Sequence, residues 1–467
     1  MSTLDFDFGD DDEFGEQDFK DLINAFEQRT PDTYFDVDSL EQIALYYFES
    51  GHHDESFDVI DHILESHPSN ARIWLLRGIL LGNLNQQDEA QKAFKESLRL
   101  NPDDSETFLN LGVSLQVTGA YHQAYDCFTD AINLDPLNEE AHFHLGVNLA
   151  YNGLLDEALD AFIRCSEIDP DHPFVWFELG NCYNTMGDHH ASLNAIDRHI
   201  NLDPYSCEAW FNKGVALTQM DMLNDAFVSY EYALDIDPDF IPAYYNKGNI
   251  LSLLGQHDQA MACYQEVLTR KGEDASAYCN MGFVLLDQED YDRSLRFFEK
   301  AAKLDPDLPQ AWFGIGQSYF LEEKYRMASK AYTRATELKP EDSDYWYVKG
   351  ESEVMAGYSQ KAMKSFKKLT ELSPDDHQAW LQYASILLDC HKPKAAKDAV
   401  ERSIDLKSNS ARTWYFYACV LYALGQIGMC KNALITSLNI DSERIKLLTE
   451  DFPPDIYDDP IFEEYFD

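Results

Sequence analysis

The chain has 467 residues, and its 84 acidic side chains outnumber the 36 basic ones, which gives a formal net charge of −48 at pH 7. This charge would repel phosphate groups, so we expect neither a nucleic acid nor a membrane as partner. An apolar content of 45% excludes a wholly disordered chain. No apolar run approaches the roughly 18 to 20 residues that a membrane-spanning helix needs.

Residues 1–36 form an acidic extension with twelve acidic and two basic side chains. A secretory signal needs a basic stretch followed by an apolar core, so this start predicts a cytoplasmic protein. Phe19, Leu22, Ile23 and Phe26 recur at helical spacing, which predicts a helix that caps the next part of the chain. The alternative is a recognition segment, because earlier phenylalanines stand among carboxylates.

The region 37–444 repeats every 34 residues, and twelve such units fill it without an insertion. Tryptophan, at position 4 of the unit, marks the period at Trp74, Trp176, Trp210, Trp312, Trp346, Trp380 and Trp414. Nine consecutive units carry glycine at position 8: Gly78, Gly112, Gly146, Gly180, Gly214, Gly248, Gly282, Gly316 and Gly350. A small residue follows at position 20, an apolar or aromatic one at position 24, and most units end with proline.

This pattern resembles the tetratricopeptide repeat family, whose unit reads Trp-x2-Leu-Gly-x2-Tyr, then Ala-x3-Phe, then Pro. The resemblance implies an all-α fold, a right-handed α-solenoid of about twelve helix-turn-helix units with helices A and B in each. One unit cannot bury its apolar face alone, so the units must stack. Small residues at positions 8 and 20 would let the two helices approach, with the residue at position 24 between them. The unbroken array also resembles bacterial multi-repeat scaffold proteins.

Glycines also mark where helix A is expected to end. Glycine accepts the left-handed backbone conformation that terminates a helix. Seven units place one there: Gly51, Gly119, Gly153, Gly187, Gly255, Gly357 and Gly425.

Residues 445–467 lie beyond the repeats. Ile445, Leu447 and Leu448 predict a last helix that covers the end of the array, and Pro453-Pro454 would break it. An acidic tail follows, which we expect to fold onto the last repeat. The predicted organisation is thus an extension (1–36), an array (37–444) and a tail (445–467).

No residue pattern indicates catalysis, a cofactor or a metal site. A phosphate-binding glycine loop, a nucleophile elbow and a His-Glu-x-x-His motif are all missing from the sequence. His142 and His144 stand two apart, a spacing that does not place helical side chains together. The nine cysteines are scattered without a Cys-x-x-Cys pair, so we expect free thiols. The ends are too short to fold as a catalytic domain.

The resemblance places positions 2, 5, 6, 9, 12 and 13 of helix A on the concave side of the array. The candidate groove residues at these positions are Asn110, His144, Phe177, Glu178, Asn181, Asn184, Phe211, Asn212, Tyr245, Asn246, Asn249 and Asn280. An amide both donates and accepts hydrogen bonds, so it can pair with the backbone of an extended peptide. Asn212, Asn246 and Asn280 would form a ladder, similar to the one by which some family members hold peptides.

These features predict a non-enzymatic scaffold or adaptor that binds an extended or basic partner segment in the groove of the central units. The partner would be a protein or peptide, basic or neutral in charge. Two alternatives stay open: an assembly or chaperone-like co-factor that binds folded proteins, and a regulatory sensor that responds to a peptide. Adaptation to a saline cytoplasm is another explanation for the acidity.

Overall fold

The computed structural model describes residues 23–26, 28, 35–441 and 443. Every regular element within these residues is helical, which confirms the all-α class. Twenty-four helices follow one another between residues 37 and 440, two in each 34-residue unit. Their alternation confirms the predicted helix-turn-helix units.

The helices A of the twelve units are the odd-numbered elements. They are α1 Val37–Glu49, α3 Ala71–Asn83, α5 Ser105–Val117, α7 Glu139–Tyr151, α9 Val175–Met186, α11 Cys207–Gln219, α13 Ile241–Leu253, α15 Ala275–Asp287, α17 Pro309–Leu321, α19 Ser343–Met355, α21 His377–Asp389 and α23 Ala411–Ala423.

The helices B are the even-numbered elements. They are α2 His53–Ser66, α4 Gln87–Leu100, α6 Tyr121–Leu134, α8 Leu155–Ile168, α10 His189–Leu202, α12 Leu223–Ile236, α14 His257–Lys271, α16 Tyr291–Leu304, α18 Tyr325–Leu338, α20 Ser359–Leu372, α22 Pro393–Leu406 and α24 Ile427–Ile440.

The chain divides into two compact units, Met1–Ile236 and Asp237–Asp467. The first contains α1 to α12 and the second α13 to α24, so each has six helix pairs. Within each compact unit, the helix A of every repeat packs along the helix B of the same repeat. That helix B also packs against the helix A of the next repeat. Each helix pair therefore covers an apolar face of its neighbour, as stacked repeats require.

Short polar side chains begin many of the helices A. The Oδ1 atom of Asn138 accepts a hydrogen bond from the backbone N–H of Ala141 at 2.8 Å, and Asn70 accepts from Arg72 at 3.1 Å. Such caps satisfy N–H groups that have no partner inside the helix. The residue before helix A therefore fixes where it starts.

A residue with positive φ joins helix A to helix B in all twelve units. The seven predicted glycines have φ between 71° and 83°. In the other five units the same conformation is adopted by Asn85, Asp221, Glu289, Glu323 and His391. The prediction that these glycines adopt the left-handed conformation is confirmed. The other five turns have the same conformation at a residue with a side chain.

The core of each unit forms where position 24 meets position 8. In the third unit, a Cβ atom on Gly112 would lie 2.6 Å from the ring of Phe128, and that ring is fully buried. Serine at position 20 adds a hydrogen bond between the helices, as when Ser192 Oγ donates to the carbonyl of Gly180 at 2.8 Å. Small residues thus bring the two backbones together, as expected.

The tryptophans at position 4 tie helix A to the turn that precedes it. Each indole N–H donates to the carbonyl of the residue six positions earlier, at 2.7 to 3.1 Å. That residue is proline in six units and Ser408 in the last. This bond explains why the unit carries tryptophan and proline together.

The two ends of the chain lie largely outside the described residues. Ile23 and Phe26 are described, and they are buried against Ile43 and Ile60 of the first repeat. Phe19, Leu22 and the predicted helix and tail of 445–467 are not among the described residues. In the part of the chain that the structure describes, no helix combines the length and apolarity needed to cross a membrane.

Candidate binding surface

In the first compact unit, an amide pair connects two successive helices A. Asn181 stands at position 9 of the fifth repeat, in α9, and Asn212 stands at position 6 of the sixth repeat, in α11. The Nδ2 atom of Asn212 donates to the Oδ1 atom of Asn181 at 2.8 Å. One such bond leaves each amide further donor and acceptor capacity. The pair is thus held in place and can still bind a peptide group.

The second unit repeats this arrangement between α13 and α15. The Nδ2 atom of Asn280 donates to the Oδ1 atom of Asn249 at 3.2 Å, again from position 6 to position 9 of the preceding helix A. The hydroxyl of Tyr264 donates to the same oxygen at 2.7 Å. Asn246 is half-buried on α13. The described bonds pair positions 6 and 9, and the ladder through Asn212, Asn246 and Asn280 stays a prediction.

Glu178 lies at position 6 of the fifth repeat, half-buried on α9 beside the first amide pair. Burial raises the pKa of its carboxyl group, and a hydrogen bond with Asn181 offsets part of that effect. A carboxylate with a raised pKa gains when a cation approaches, since the charged form is then favoured. The arrangement therefore suits a positively charged ligand.

The three aromatic candidates at position 5, Phe177, Phe211 and Tyr245, are half-buried and pack on their own helix B. The ring of Phe177 lies 5.4 Å from that of His199, and the ring of Phe211 lies 5.7 Å from that of Tyr230. Tyr245 donates a hydrogen bond to Asp274, at the start of the next helix A. These rings stabilise the packing of helix A on helix B. Because they are only half-buried, part of each ring stays accessible to a ligand.

His144 belongs to a cluster that also contains Glu140 and His172. Its Nε2 atom lies 3.7 Å from Glu140 Oε2, and its ring stacks on Phe128 with 5.8 Å between centroids. His172 is 2% exposed and approaches the other oxygen of Glu140 to 3.6 Å. The nearby His172 is the leading cause of the lowered pKa of Glu140, while burial lowers the pKa of His144.

His172 also caps α9. Its Nδ1 atom accepts hydrogen bonds from the backbone N–H groups of Val175 at 3.1 Å and Phe174 at 3.3 Å. An accepting Nδ1 places the proton of the neutral ring on Nε2, which faces Glu140. The sequence alone did not single out Glu140 or His172. The signal was a histidine at the last position of a unit, where α9 has no Asn, Asp or Ser as its cap.

Two further candidates bond within their own repeat. The Nδ2 atom of Asn110 donates to the carbonyl of Glu106 at 2.9 Å, and Asn184 Oδ1 lies 3.0 Å from His189 Nδ1. The first bond stays within α5, and the second crosses the turn between α9 and α10. Neither amide is joined to the Asn181–Asn212 pair by these bonds.

The cysteines are unpaired, and several are buried. Burial raises the pKa of Cys165 to about 12 and that of Cys182 to about 11. Such thiols are protonated at neutral pH and are poor nucleophiles. Among the described residues, no group of three or more His, Cys, Asp or Glu side chains could hold a metal ion.

Family comparisons match several segments of the array. Four models, each described as tetratricopeptide repeat, match residues 71–104 and 208–240, 241–274, 273–341 and 316–377. These segments coincide with the helix pairs described above. The chain belongs to the tetratricopeptide-repeat family. No curated protein matches it.

Solved structures that match this tetratricopeptide-repeat chain share low sequence identity with it. MamA is 23% identical with a TM-score of 0.34 over 34% of this chain and 94% of its own. YrrB, described as a tetratricopeptide-repeat protein with an unusual peptide-binding site, is 22% identical with a TM-score of 0.31 over 40% and 96%. PilF of Pseudomonas aeruginosa is 17% identical with a TM-score of 0.40 over 47% and 97%.

Within the tetratricopeptide repeats, His142 replaces the tryptophan of position 4. Its Nε2 atom lies 3.3 Å from the carbonyl of Pro136, six residues earlier. This is the bond that the indoles make in seven other repeats. His142 therefore takes over the structural role of tryptophan in the fourth repeat.

Proposed function

We propose that this tetratricopeptide-repeat protein is a non-enzymatic scaffold that binds an extended, basic partner segment along the helix-A residues of its first compact unit. The repeats themselves belong to an interaction family, and stacked repeats present extended binding surfaces. The Asn181–Asn212 pair beside Glu178 is the observation that carries the proposal. Its amides would hold the partner backbone, and the carboxylate would pair with a Lys or Arg side chain.

The charge of the first unit supports a basic partner. Residues 1–236 contain 46 acidic and 10 basic side chains, whereas residues 237–467 contain 38 and 26. A strongly negative surface speeds encounters with a cationic segment and makes them sensitive to salt. A basic segment is thus expected to favour the first unit over the second.

The cysteines support the non-enzymatic assignment and a cytoplasmic location. Their raised pKa values disfavour thiolate catalysis. Nine unpaired thiols suit a reducing compartment, where disulfides are rare. The second amide pair, Asn249 with Asn280, would offer another contact of the same kind in the second unit.

Selection of random twelve-residue peptides on the full chain tests this proposal. We expect the selected peptides to be rich in Lys and Arg. Titration calorimetry of one such peptide should show affinity falling by roughly tenfold or more for the Asn181→Ala/Asn212→Ala variant, since each lost hydrogen bond to a backbone contributes about 1 kcal/mol. Glu178→Gln should weaken binding further. Because burial raises the pKa of Glu178, its charged form opposes folding at pH 7, and this variant is expected to be no less stable.

Two matched controls separate the groove from the rest of the surface. Asn194→Ala removes an exposed amide from helix B, and Glu65→Gln removes an exposed charge from another helix B. Both should bind like the wild type. A selected pool without basic enrichment, or equal affinities for the groove and control variants, would contradict the proposal and favour recognition of folded partners.

A further inference from the structure

The second compact unit contains a basic surface within a very acidic protein. Three successive helices B, α16, α18 and α20, together hold eleven basic and four acidic side chains. Their excess of seven positive charges falls to four once the ion pairs with Glu273, Asp290 and Asp307 outside these helices are counted, and it still contrasts with the −48 of the chain. We call this the basic helix-B surface.

A cleft opens on this surface between α16 and α18. Its volume is about 460 Å³, and its apolar floor includes Trp312, Ile315 and Met327. Met327 is 46% exposed although its side chain is apolar. Clefts of this size with an apolar floor and a few polar groups commonly bind ligands.

Two lysines line the cleft, Lys303 on α16 and Lys330 on α18, together with one carboxylate, that of Glu299 on α16. Both are exposed, and neither forms an ion pair with another described residue. Lys364 on α20 is exposed and without such a pair as well. The cleft thus combines an apolar floor with two unpaired lysines against one carboxylate, which suits a ligand that carries aromatic rings and carboxylates side by side.

The chain itself contains a segment of this composition. Residues 455–467 hold six acidic and no basic side chains, together with Tyr457, Phe462, Tyr465 and Phe466. They lie outside the described residues. We propose that segment 455–467 docks on the basic helix-B surface instead of the last repeat, where the sequence alone led us to expect it, with Phe462 or Phe466 in the cleft and Glu463 and Glu464 beside Lys303 and Lys330.

The segment is long enough to reach the cleft. Eighteen residues lie between Glu443, the last described residue, and Phe462, and a fully extended chain over these nineteen steps spans roughly 60 Å. From α24 back to α18 there are three steps between helices B, each of at most two helix diameters of about 10 Å. Three prolines, at positions 453, 454 and 460, favour an extended path over a helix.

Tethering favours this segment over a foreign acidic peptide. A docking site and a ligand on one chain meet at an effective concentration in the millimolar range. A free acidic peptide at micromolar concentration would therefore be outcompeted. The docked segment would keep the basic helix-B surface closed to other acidic partners.

Zero-length carbodiimide cross-linking of the full chain, read by mass spectrometry, tests the docking. We expect links from Lys303 or Lys330 to Glu463 or Glu464, and their loss in 0.5 M NaCl. The pair of Lys300 with Glu273, whose charged atoms lie 3.0 Å apart, provides an internal positive control. Links of the control pair without any link from segment 455–467 to α16, α18 or α20 would overturn the proposal.

Mixing unlabelled and ¹⁵N-labelled chains distinguishes one chain from two. Links confined to chains of one isotope support docking within a chain, and mixed links would overturn it in favour of a second copy. As an independent measurement, a labelled peptide of residues 455–467 should bind the Phe462→Ala/Phe466→Ala variant at least roughly tenfold more tightly than wild type, because the tethered competitor is weakened. Equal binding to both proteins would contradict docking.

Discussion

The contact between position 8 and position 24 shows how one missing side chain sets the spacing of two helices. In the second repeat, Gly78 of α3 faces the ring of Phe94, which is 2% exposed. A methyl group at Gly78 would overlap that ring. Four residues further along the same helix, Gly82 faces open space. The two glycines therefore lie on the same helix, but only Gly78 has no room for a side chain.

This difference gives a paired prediction. Gly78→Ala should lower the free energy of unfolding by about 1 to 2 kcal/mol, because overpacking outweighs the gain in helix propensity. Gly82→Ala, with the same change in propensity and no overlap, should raise it by up to about 1 kcal/mol. Hydrogen exchange of the amides of α3 and α4 measures both. Similar effects of the two variants would show that packing at position 8 is not limiting.

Residue roles that depend on side-chain type could be predicted from the sequence, whereas roles that depend on a partner could not. The period identified glycine, the small residue and the ring at their positions before any geometry was known. It did not indicate that the tryptophan N–H bonds to the proline carbonyl, nor that His142 replaces that bond. The spacing of residues in the sequence predicts which side chains lie near each other. Which atom donates a hydrogen bond to which acceptor can be read only from the structure.

At the scale of the helix pair, the turn after helix A is the element with a fixed backbone requirement. All twelve units place a residue with positive φ there, and five of these residues carry a side chain. The left-handed conformation costs an ordinary L-residue roughly 1 to 2 kcal/mol. Asn, Asp and His adopt this conformation more readily than other residues with a side chain, so the cost falls mainly on the turns at Glu289 and Glu323.

Glu323 provides the test, since it is exposed and has a φ of 60°. Glu323→Gly should raise the stability of the ninth repeat by about 0.5 to 1 kcal/mol, because relief of strain exceeds the added freedom of the unfolded chain. Gly357→Ala is the matched converse: its φ is 77° and a Cβ there meets no other atom, so backbone strain alone should destabilise the tenth repeat. Hydrogen exchange of the flanking helices reports each change. An unaltered or faster exchange in Glu323→Gly would count against strain at this turn.

The pairing of helices was predictable and the pairing of groove side chains was not. Repeat length and the glycine turns predicted where α9 and α11 stand. The bond between Asn181 and Asn212 runs from position 6 to position 9 of the preceding helix A, whereas the sequence favoured equal positions in successive units. A difference of three residues along a helix is nearly one turn, so the offset between neighbouring helices decides which amides meet.

At the scale of the whole molecule, charge is divided unequally between the two compact units. The first unit has a net charge of −36 and the second −12, from the counts given above. Repulsion among like charges opposes the compact state. Screening of this repulsion by salt should therefore stabilise the first compact unit more than the second.

We expect added salt to stabilise the first unit more than the second. Raising NaCl from 20 to 500 mM shortens the screening length from about 20 Å to about 4 Å, so most repulsion between exposed carboxylates disappears. Amide exchange should slow more in α1 to α12 than in α13 to α24. The second unit serves as the control within one molecule, and an equal response in both would show that the excess acidity does not limit stability.

The hydrogen bond between each indole and its turn has a spectroscopic consequence. The seven tryptophans are separated by 34 residues or a multiple of 34. Each donates a hydrogen bond to the turn that joins its repeat to the one before it, here called the joint. When a joint opens, its indole exchanges a carbonyl partner for water, and the emission of that fluorophore should shift to the red. A set of chains that retain one tryptophan each would thus record, by colour, the order in which the joints of the array come apart.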